Sequence, residues 1–139
     1  MARTRLPVFS CSVMVMEYKE FFFELRSKGI YIEQGCSRFI VGYYEQAQLK
    51  YATAVQWVRD QGGHIPTMEQ ALILCEHRRE INEALLAAGQ KPISEEYFWC
   101  RRQHAIKQGS NYIVRMYNGY IDQCSRDYYS AARAIIPVK

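Results

Sequence analysis

Hydrophobic positions along this chain first alternate, then recur every three or four residues, then alternate again. After Leu6-Pro7 the run VFSCSVMVM, residues 8–16, alternates and predicts a strand. In EYKEFFFELRSKG, Phe21, Phe22 and Leu25 sit at helical spacing and Gly29 offers a stop. This favours a short helix, although three consecutive Phe also suit a buried strand. IYI and RFIVGYY predict two further short strands. In the middle, Thr53 and Gln56 have capping-box spacing, and ATAVQWVRDQ predicts a helix ending at Gly62-Gly63, with Ala54, Val55, Trp57 and Val58 inward. Pro66-Thr67 ends that segment, and Thr67 with Gln70 repeats the capping pattern. The helical stretch MEQALILCEHRREINEALLAAG then runs to Gly89. Leu72 to Cys75 form one apolar group and Ile81, Leu85 and Leu86 another; the charged patch EHRRE between them predicts a break into two shorter helices.

From Tyr97 onward the pattern returns to strands. Asn118-Gly119 is the strongest turn signal, since a two-residue type I′ turn needs positive φ at both central residues. Such a turn sets Tyr117 opposite Tyr120, Met116 opposite Ile121, Arg115 opposite Asp122 and Val114 opposite Gln123. Val114, Met116 and Ile121, with Tyr112, then form the inner face; Arg115, Tyr117, Tyr120 and Asp122 form the outer one. Strands, two main helical segments, then strands predict an α+β fold with the helices packed on a small antiparallel sheet, first and last strands adjacent.

A chain of 139 residues, 49% hydrophobic and 23% charged, is expected to form one globular domain over residues 1–139. The net charge of +4 comes from dispersed basic residues with short pairs such as Arg78-Arg79 and Arg101-Arg102, so no nucleic-acid partner is expected. No apolar run is long enough for a membrane span, and the N-terminal twenty residues read as a strand rather than an export signal. Cys11, Cys36, Cys75, Cys100 and Cys124 are odd in number and widely spaced. They suggest reduced thiols rather than a zinc site or a full disulfide framework, with one pair left open.

The outer face of the hairpin is where composition changes the picture. Six of the 11 tyrosines lie between Tyr97 and Tyr129, where a surface serving only solubility would use Lys and Glu. Tyr brings large contact area with few rotatable bonds, and Arg a planar fork of donors; both are enriched in binding hot spots and paratopes. The candidate ligand-binding surface is Arg101, Arg102, His104, Arg115, Tyr117, Tyr120, Asp122, Tyr128 and Tyr129. Folding explains any single tyrosine equally well. Tyr favours strands, and cross-strand Tyr117–Tyr120 and Arg115–Asp122 pairs would stabilise the hairpin by roughly 0.2–1 kcal/mol each. Trp57, Trp99, Met14, Met16 and Met116 are expected in the core, and Arg133 is expected buried against a carboxylate. Catalysis finds little support. His64, His77 and His104 fall in no metal or triad pattern, Cys75 is expected in the core beside a solvent-facing His77, and Cys100 has no evident base. No metal or cofactor is expected.

GGHIPTMEQALIL, INEALLAAGQKPISEEYFWC, YIVRMYNGYIDQ and SAARAI follow one another in this order. Together they resemble the C-type-lectin-fold proteins of the formylglycine-generating-enzyme-like branch. Within it the chain is similar to the variable proteins of diversity-generating retroelements and related small domains of gut bacteria and their phages. The resemblance covers residues 42–138; residues 1–41 match weakly. It implies a C-type lectin fold acting as a fixed frame and a hypervariable segment, here 97–133, written by miscopying template adenines so that Asn codons change. The reachable residues include Tyr, Asp, Ser, Cys, Arg and His. Arg101, Arg102, His104, Ser110, Tyr112, Arg115, Tyr117, Tyr120, Asp122, Cys124, Ser125, Asp127, Tyr128 and Tyr129 belong to that set. Trp99, Lys107 and Met116 do not and would be frame; Gln103 and Gln123 also lie outside it. The implied function is recognition, without catalysis, of a protein or glycan on a cell surface, by a chain carried on a phage particle or cell surface; the oligomeric state is left open, although a small binding head often gains from avidity. The alternatives are a non-diversified adhesin-like or structural domain of the same fold, and a degenerate formylglycine-generating-enzyme-like protein. The paired-cysteine motif of those enzymes and the calcium motifs of animal lectins are both missing from the sequence.

Overall fold

A computed structural model describes residues 2–5, 20–103 and 108–138. In chain order they form β1 (Ala2–Arg5), β2 (Glu20–Leu25), β3 (Gly29–Gln34), β4 (Ser37–Leu49), α1 (Tyr51–Asp60), α2 (Met68–Glu76), α3 (Arg78–Ala87), β5 (Tyr97–Gln103), β6 (Ser110–Arg115), β7 (Ile121–Ser125) and β8 (Ser130–Ile136). The strands join in the order β1-β2-β3-β4-β8-β5-β6-β7. The fold is α+β, as the sequence predicts, but the sheet is mixed: β8 is antiparallel to β4 and parallel to β5, with Phe98 beside Ala131. The first described strand is not adjacent to the last. β1 is at the sheet edge, and β8 is central with both faces covered, which explains its unbroken burial and its three alanines. The strand expected at 8–16, with Met14 and Met16, lies outside the described residues.

Alternation along the central strands divides the core into two layers. Phe98, Val114, Ala131 and Ile135 pack with Ala71, Leu74, Ile81 and Leu85 of α2 and α3. Their neighbours Trp99, Ile113, Ala132 and Ala134 pack with Ala54 and Val58 of α1. One helical layer therefore lies on each face.

The helix expected around the three phenylalanines is a strand. Phe21 and Phe23 are buried and Phe22 turns outward, a period of two, while β2 pairs in register with β3. Helix α1 begins earlier than its capping signal: Lys50 is the N-cap with no side-chain cap, and Thr53 lies exposed inside the helix. At α2 the signal holds. Thr67 Oγ1 accepts from the Gln70 amide at 3.1 Å, and Gln70 Oε1 accepts from the Thr67 amide at 2.9 Å. The predicted break falls at His77, which ends α2 and opens α3. His77 is not solvent-facing. Its ring stacks on Phe21, centroids 3.5 Å apart, and its Nε2 donates to Gln34 Oε1 at 2.6 Å. Gly63 is required for close approach, since a Cβ there would lie 2.5 Å from the Ile135 carbonyl oxygen. That approach lets His64 pair with Ile135.

Arg133 is buried against Glu45, as expected from the sequence. Its Nε donates to the Gly42 carbonyl at 2.7 Å, and Nη2 to the carbonyls of Tyr43 and Lys91 at 2.8 and 2.7 Å. Glu45 also accepts from the Ser94 amide at 3.2 Å. One ion pair thus ties β8, β4 and the segment entering β5. Trp99 is fully buried and donates from Nε1 to the Leu49 carbonyl at 2.7 Å; Trp57 is half-buried on the same side.

Candidate functional site

The β6–β7 hairpin forms, but with a register two residues away from the one a two-residue turn would set. Val114 pairs with Ile121, Ile113 with Asp122 and Tyr112 with Gln123. The Arg115 amide donates to the Tyr120 carbonyl, while the amides of Asn118 and Gly119 both donate to the Arg115 carbonyl. Four residues, 116–119, therefore make the turn. Of Asn118 and Gly119 only Gly119 has positive φ, at 77°, so the turn is not type I′. Asn118 instead caps it locally, its Oδ1 accepting from the Tyr120 amide at 3.0 Å. Met116 explains the longer loop. It is buried as expected, its amide donates to the Glu96 carbonyl, and its carbonyl faces Cys75 Sγ of α2 at 3.4 Å. Core packing outweighs the short-turn preference.

A shift of two preserves which side chains share a face. Arg115, Tyr117, Tyr120 and Asp122 remain exposed, with Tyr117 and Tyr120 each 56% accessible. Ile121, expected inside, is instead 38% exposed on the edge strand, and Tyr112 is half-buried against the α2–α3 layer. The Arg115–Asp122 pair does not form: Asp122 stands opposite Ile113 and accepts from the Gln123 amide. Arg115 instead lies among rings, its guanidinium 5.2 Å from the Tyr117 centroid and 5.9 Å from that of Tyr97. Sequence reasoning left Tyr97 out of the surface; its register opposite Arg115 makes it part of this group.

The nine candidate residues do not form one patch around the turn. Tyr128 follows the opposite end of the hairpin, roughly four strand residues or 13 Å along β7. There it lines an open depression of about 550 Å³ with Gln108, Ser110, Gln123 and Ser125. Within it Gln123 Oε1 is buried without a hydrogen-bond partner. Tyr129, 61% exposed, lies near Lys50, whose Nζ is 5.8 Å from the ring centroid. Arg101 is exposed on β5, its amide donating to the Pro66 carbonyl. Arg102 belongs to β5 by its backbone, and His104 and Lys107 lie outside the described residues. Among the described residues, Arg115, Tyr117, Tyr120 and Asp122 thus lie at the turn end of β6–β7 and Tyr128 at the opposite end.

Asn111 connects the strands beneath, a role the sequence did not reveal. Wholly buried, it donates from Nδ2 to the carbonyls of Cys100 and Arg101 and accepts at Oδ1 from Arg126 Nε at 2.7 Å. Arg126 in turn lies 5.3 Å from the Tyr51 ring centroid, and its carbonyl accepts from the Tyr51 amide. The turn leading to Tyr128 and Tyr129 is anchored there.

Cys75, Cys100 and Cys124 offer poor nucleophiles. Cys100 is fully buried, and burial pushes its thiol up to about 12. Burial also raises Cys75 and Cys124 above the ordinary thiol value. Cys36, Cys75, Cys100 and Cys124 are all free, and no group of three His, Cys, Asp or Glu is placed to hold a metal among the described residues. No described helix is long and apolar enough to cross a membrane. No family model, curated protein or solved structure matches this chain.

Proposed function

We propose that this chain is a binding module: a C-type-lectin-like frame that displays a hypervariable recognition surface of the diversity-generating-retroelement type. One observation carries this. Within 97–133, Trp99 and Met116, outside the reach of adenine miscopying, are buried, whereas Gln108 and Gln123, also outside it, are exposed and half-buried. Arg101, Arg115, Tyr117, Tyr120, Asp122, Asp127, Tyr128 and Tyr129, all within that reach, are exposed. Folding accounts for the buried Trp99 and Met116; what it does not require is that the described exposed positions of 97–133 carry Tyr, Arg and Asp and no Lys or Glu. Ser110, Tyr112, Cys124 and Ser125 are reachable but wholly or half buried, so the displayed set is the exposed subset. A sheet-mounted surface binds with little ordering entropy. The ligand class that suits these side chains is a protein or glycan of a cell surface, bound without catalysis.

The DNA around the gene tests diversification. A near-copy of the segment encoding 97–133, differing from it at adenines, is expected beside a reverse-transcriptase gene; its absence overturns the diversified reading. Recognition is tested with the Tyr117→Ala, Tyr120→Ala, Tyr128→Ala triple variant against a panel of intact bacterial cells. The variant is expected to keep the circular-dichroism spectrum of the parent and lose its cell binding. Retained binding overturns the role of these tyrosines, and unfolding assigns them to the hairpin's stability.

A further inference from the structure

We propose that the cleft between α1 and the later half of β5 is a binding site for an acidic sugar, one carrying both a carboxylate and hydroxyl groups. It encloses about 240 Å³, room for one sugar ring, and its walls combine Arg59, His64 and Arg101 with Tyr51, Val55 and Ile65. Two arginines converge here from different elements, the last turn of α1 and β5. Neither has an ion pair among the described residues. None of the described residues lining the cleft is acidic. The nearest acidic neighbour in sequence, Asp60, is engaged elsewhere, accepting from Gln56 Nε2 at 2.8 Å. Glu69 lies beyond Arg101 in the adjoining depression and accepts from Ser37 Oγ at 2.8 Å. Arg126, 5.3 Å from the Tyr51 ring centroid, adds a further positive charge nearby.

The chemistry selects among anions. A guanidinium fork pairs bidentately with a planar carboxylate. His64 Nδ1 lies 2.8 Å from the Ile65 carbonyl, which can only accept, so Nδ1 carries a proton and Nε2 is left to pair with a ligand. Two arginines with an imidazole nitrogen beside them suit a ligand that carries a hydroxyl next to its carboxylate, since a hydroxyl can either donate to that nitrogen or accept from it. A sugar acid does so; an aspartyl or glutamyl side chain does not. Tyr51, Val55 and Ile65 supply an apolar wall for the C–H face of a ring. The site shares only Arg101 with the displayed surface and does not depend on that surface being diversified.

Backbone-amide NMR titration tests it, with the methyl glycosides of N-acetylneuraminate and glucuronate, methyl glucoside as the neutral control, and acetate, inorganic phosphate and a glutamate-rich peptide as the other anions. At least one acidic glycoside is expected to shift the amides around Arg59, His64 and Arg101, with affinity at least about tenfold above every control. The Arg59→Gln, Arg101→Gln double variant should keep the amide spectrum of the fold and weaken that binding by about tenfold or more. The Tyr117→Ala, Tyr120→Ala, Tyr128→Ala variant should bind the glycoside unchanged, which separates this site from the hairpin surface. No shift with either acidic glycoside, equal binding of the peptide or phosphate, or undiminished binding by the double arginine variant overturns the proposal.

Discussion

Arg133 Nη1 lies 3.2 Å from Glu45 Oε1, with the two side chains only 2% and 4% exposed. Burial draws Arg133 below its ordinary value while Glu45 opposes the shift, so each charge needs the other. Arg133→Met should destabilise the domain by about 3–5 kcal/mol, because it strands a buried carboxylate and leaves the carbonyls of Gly42, Tyr43 and Lys91 without this donor. Adding Glu45→Leu should recover part of the loss by removing the stranded charge. Urea denaturation of the two variants measures both effects; a double variant less stable than Arg133→Met would contradict the account.

Cys100 gives a pH dependence with a definite sign. Its thiol is pushed up to about 12 in the folded chain, from an ordinary value of 9.0. Between those values the unfolded chain releases the proton and the folded chain keeps it, so stability is intact below pH 9 and falls as pH rises towards 12. The loss from this one group is at most about 1.4 kcal/mol per pH unit. Cys100→Ala should flatten that alkaline decline. In the native protein, iodoacetamide followed by peptide mapping should label exposed Cys36 well before Cys100.

Which features were legible in the sequence depended on how local their causes are. The capping box at Thr67 needs only Gln70 three residues on, and it forms as read. The break at EHRRE and the glycine stops at Gly62 and Gly89 are equally local. The triple phenylalanine was ambiguous because its strand character comes from pairing with β3, at Gln34, Glu33 and Ile32. The hairpin register failed for a tertiary reason: Met116 is held by Glu96 and Cys75, so the Asn-Gly signal serves a longer turn. Arg133 was legible as a buried cation, but its carboxylate, 88 positions earlier, was not. The cleft formed by Arg59, His64 and Arg101 was invisible, since nothing local brings α1 beside β5.

Arg115 should matter more to recognition than to folding. Its guanidinium lies near Tyr97 and Tyr117, and cation–π contacts at exposed sites are worth about 0.5–1 kcal/mol. Arg115→Ala should therefore cost no more than about 1 kcal/mol in thermal or urea unfolding. Binding to whichever cells the parent recognises should fall well beyond that loss, because the planar fork goes with the charge. Arg115→Lys, which keeps the charge alone, should retain stability without restoring full binding. A destabilisation of several kcal/mol would instead make Arg115 part of the frame.

Asn111 gives the sharpest test of the frame beneath the displayed turn. Its amide uses both ends, donating to the Cys100 and Arg101 carbonyls and accepting from Arg126. Asn111→Ala should cost about 2–3 kcal/mol, since it leaves buried polar partners unsatisfied. Asn111→Asp separates the two ends. The carboxylate would strengthen the bond to Arg126, yet it offers no donor and sets a charge against two carbonyl oxygens. If the donor end governs, Asn111→Asp is as destabilising as Asn111→Ala or worse, and stability returns in part as acid protonates the new carboxyl. If the Arg126 contact governs, Asn111→Asp is nearly as stable as the parent at neutral pH. The donor end should win, because two carbonyls lose their partner while the Arg126 bond gains only charge. Urea denaturation at neutral and acidic pH, each variant compared with the parent at the same pH, decides between them.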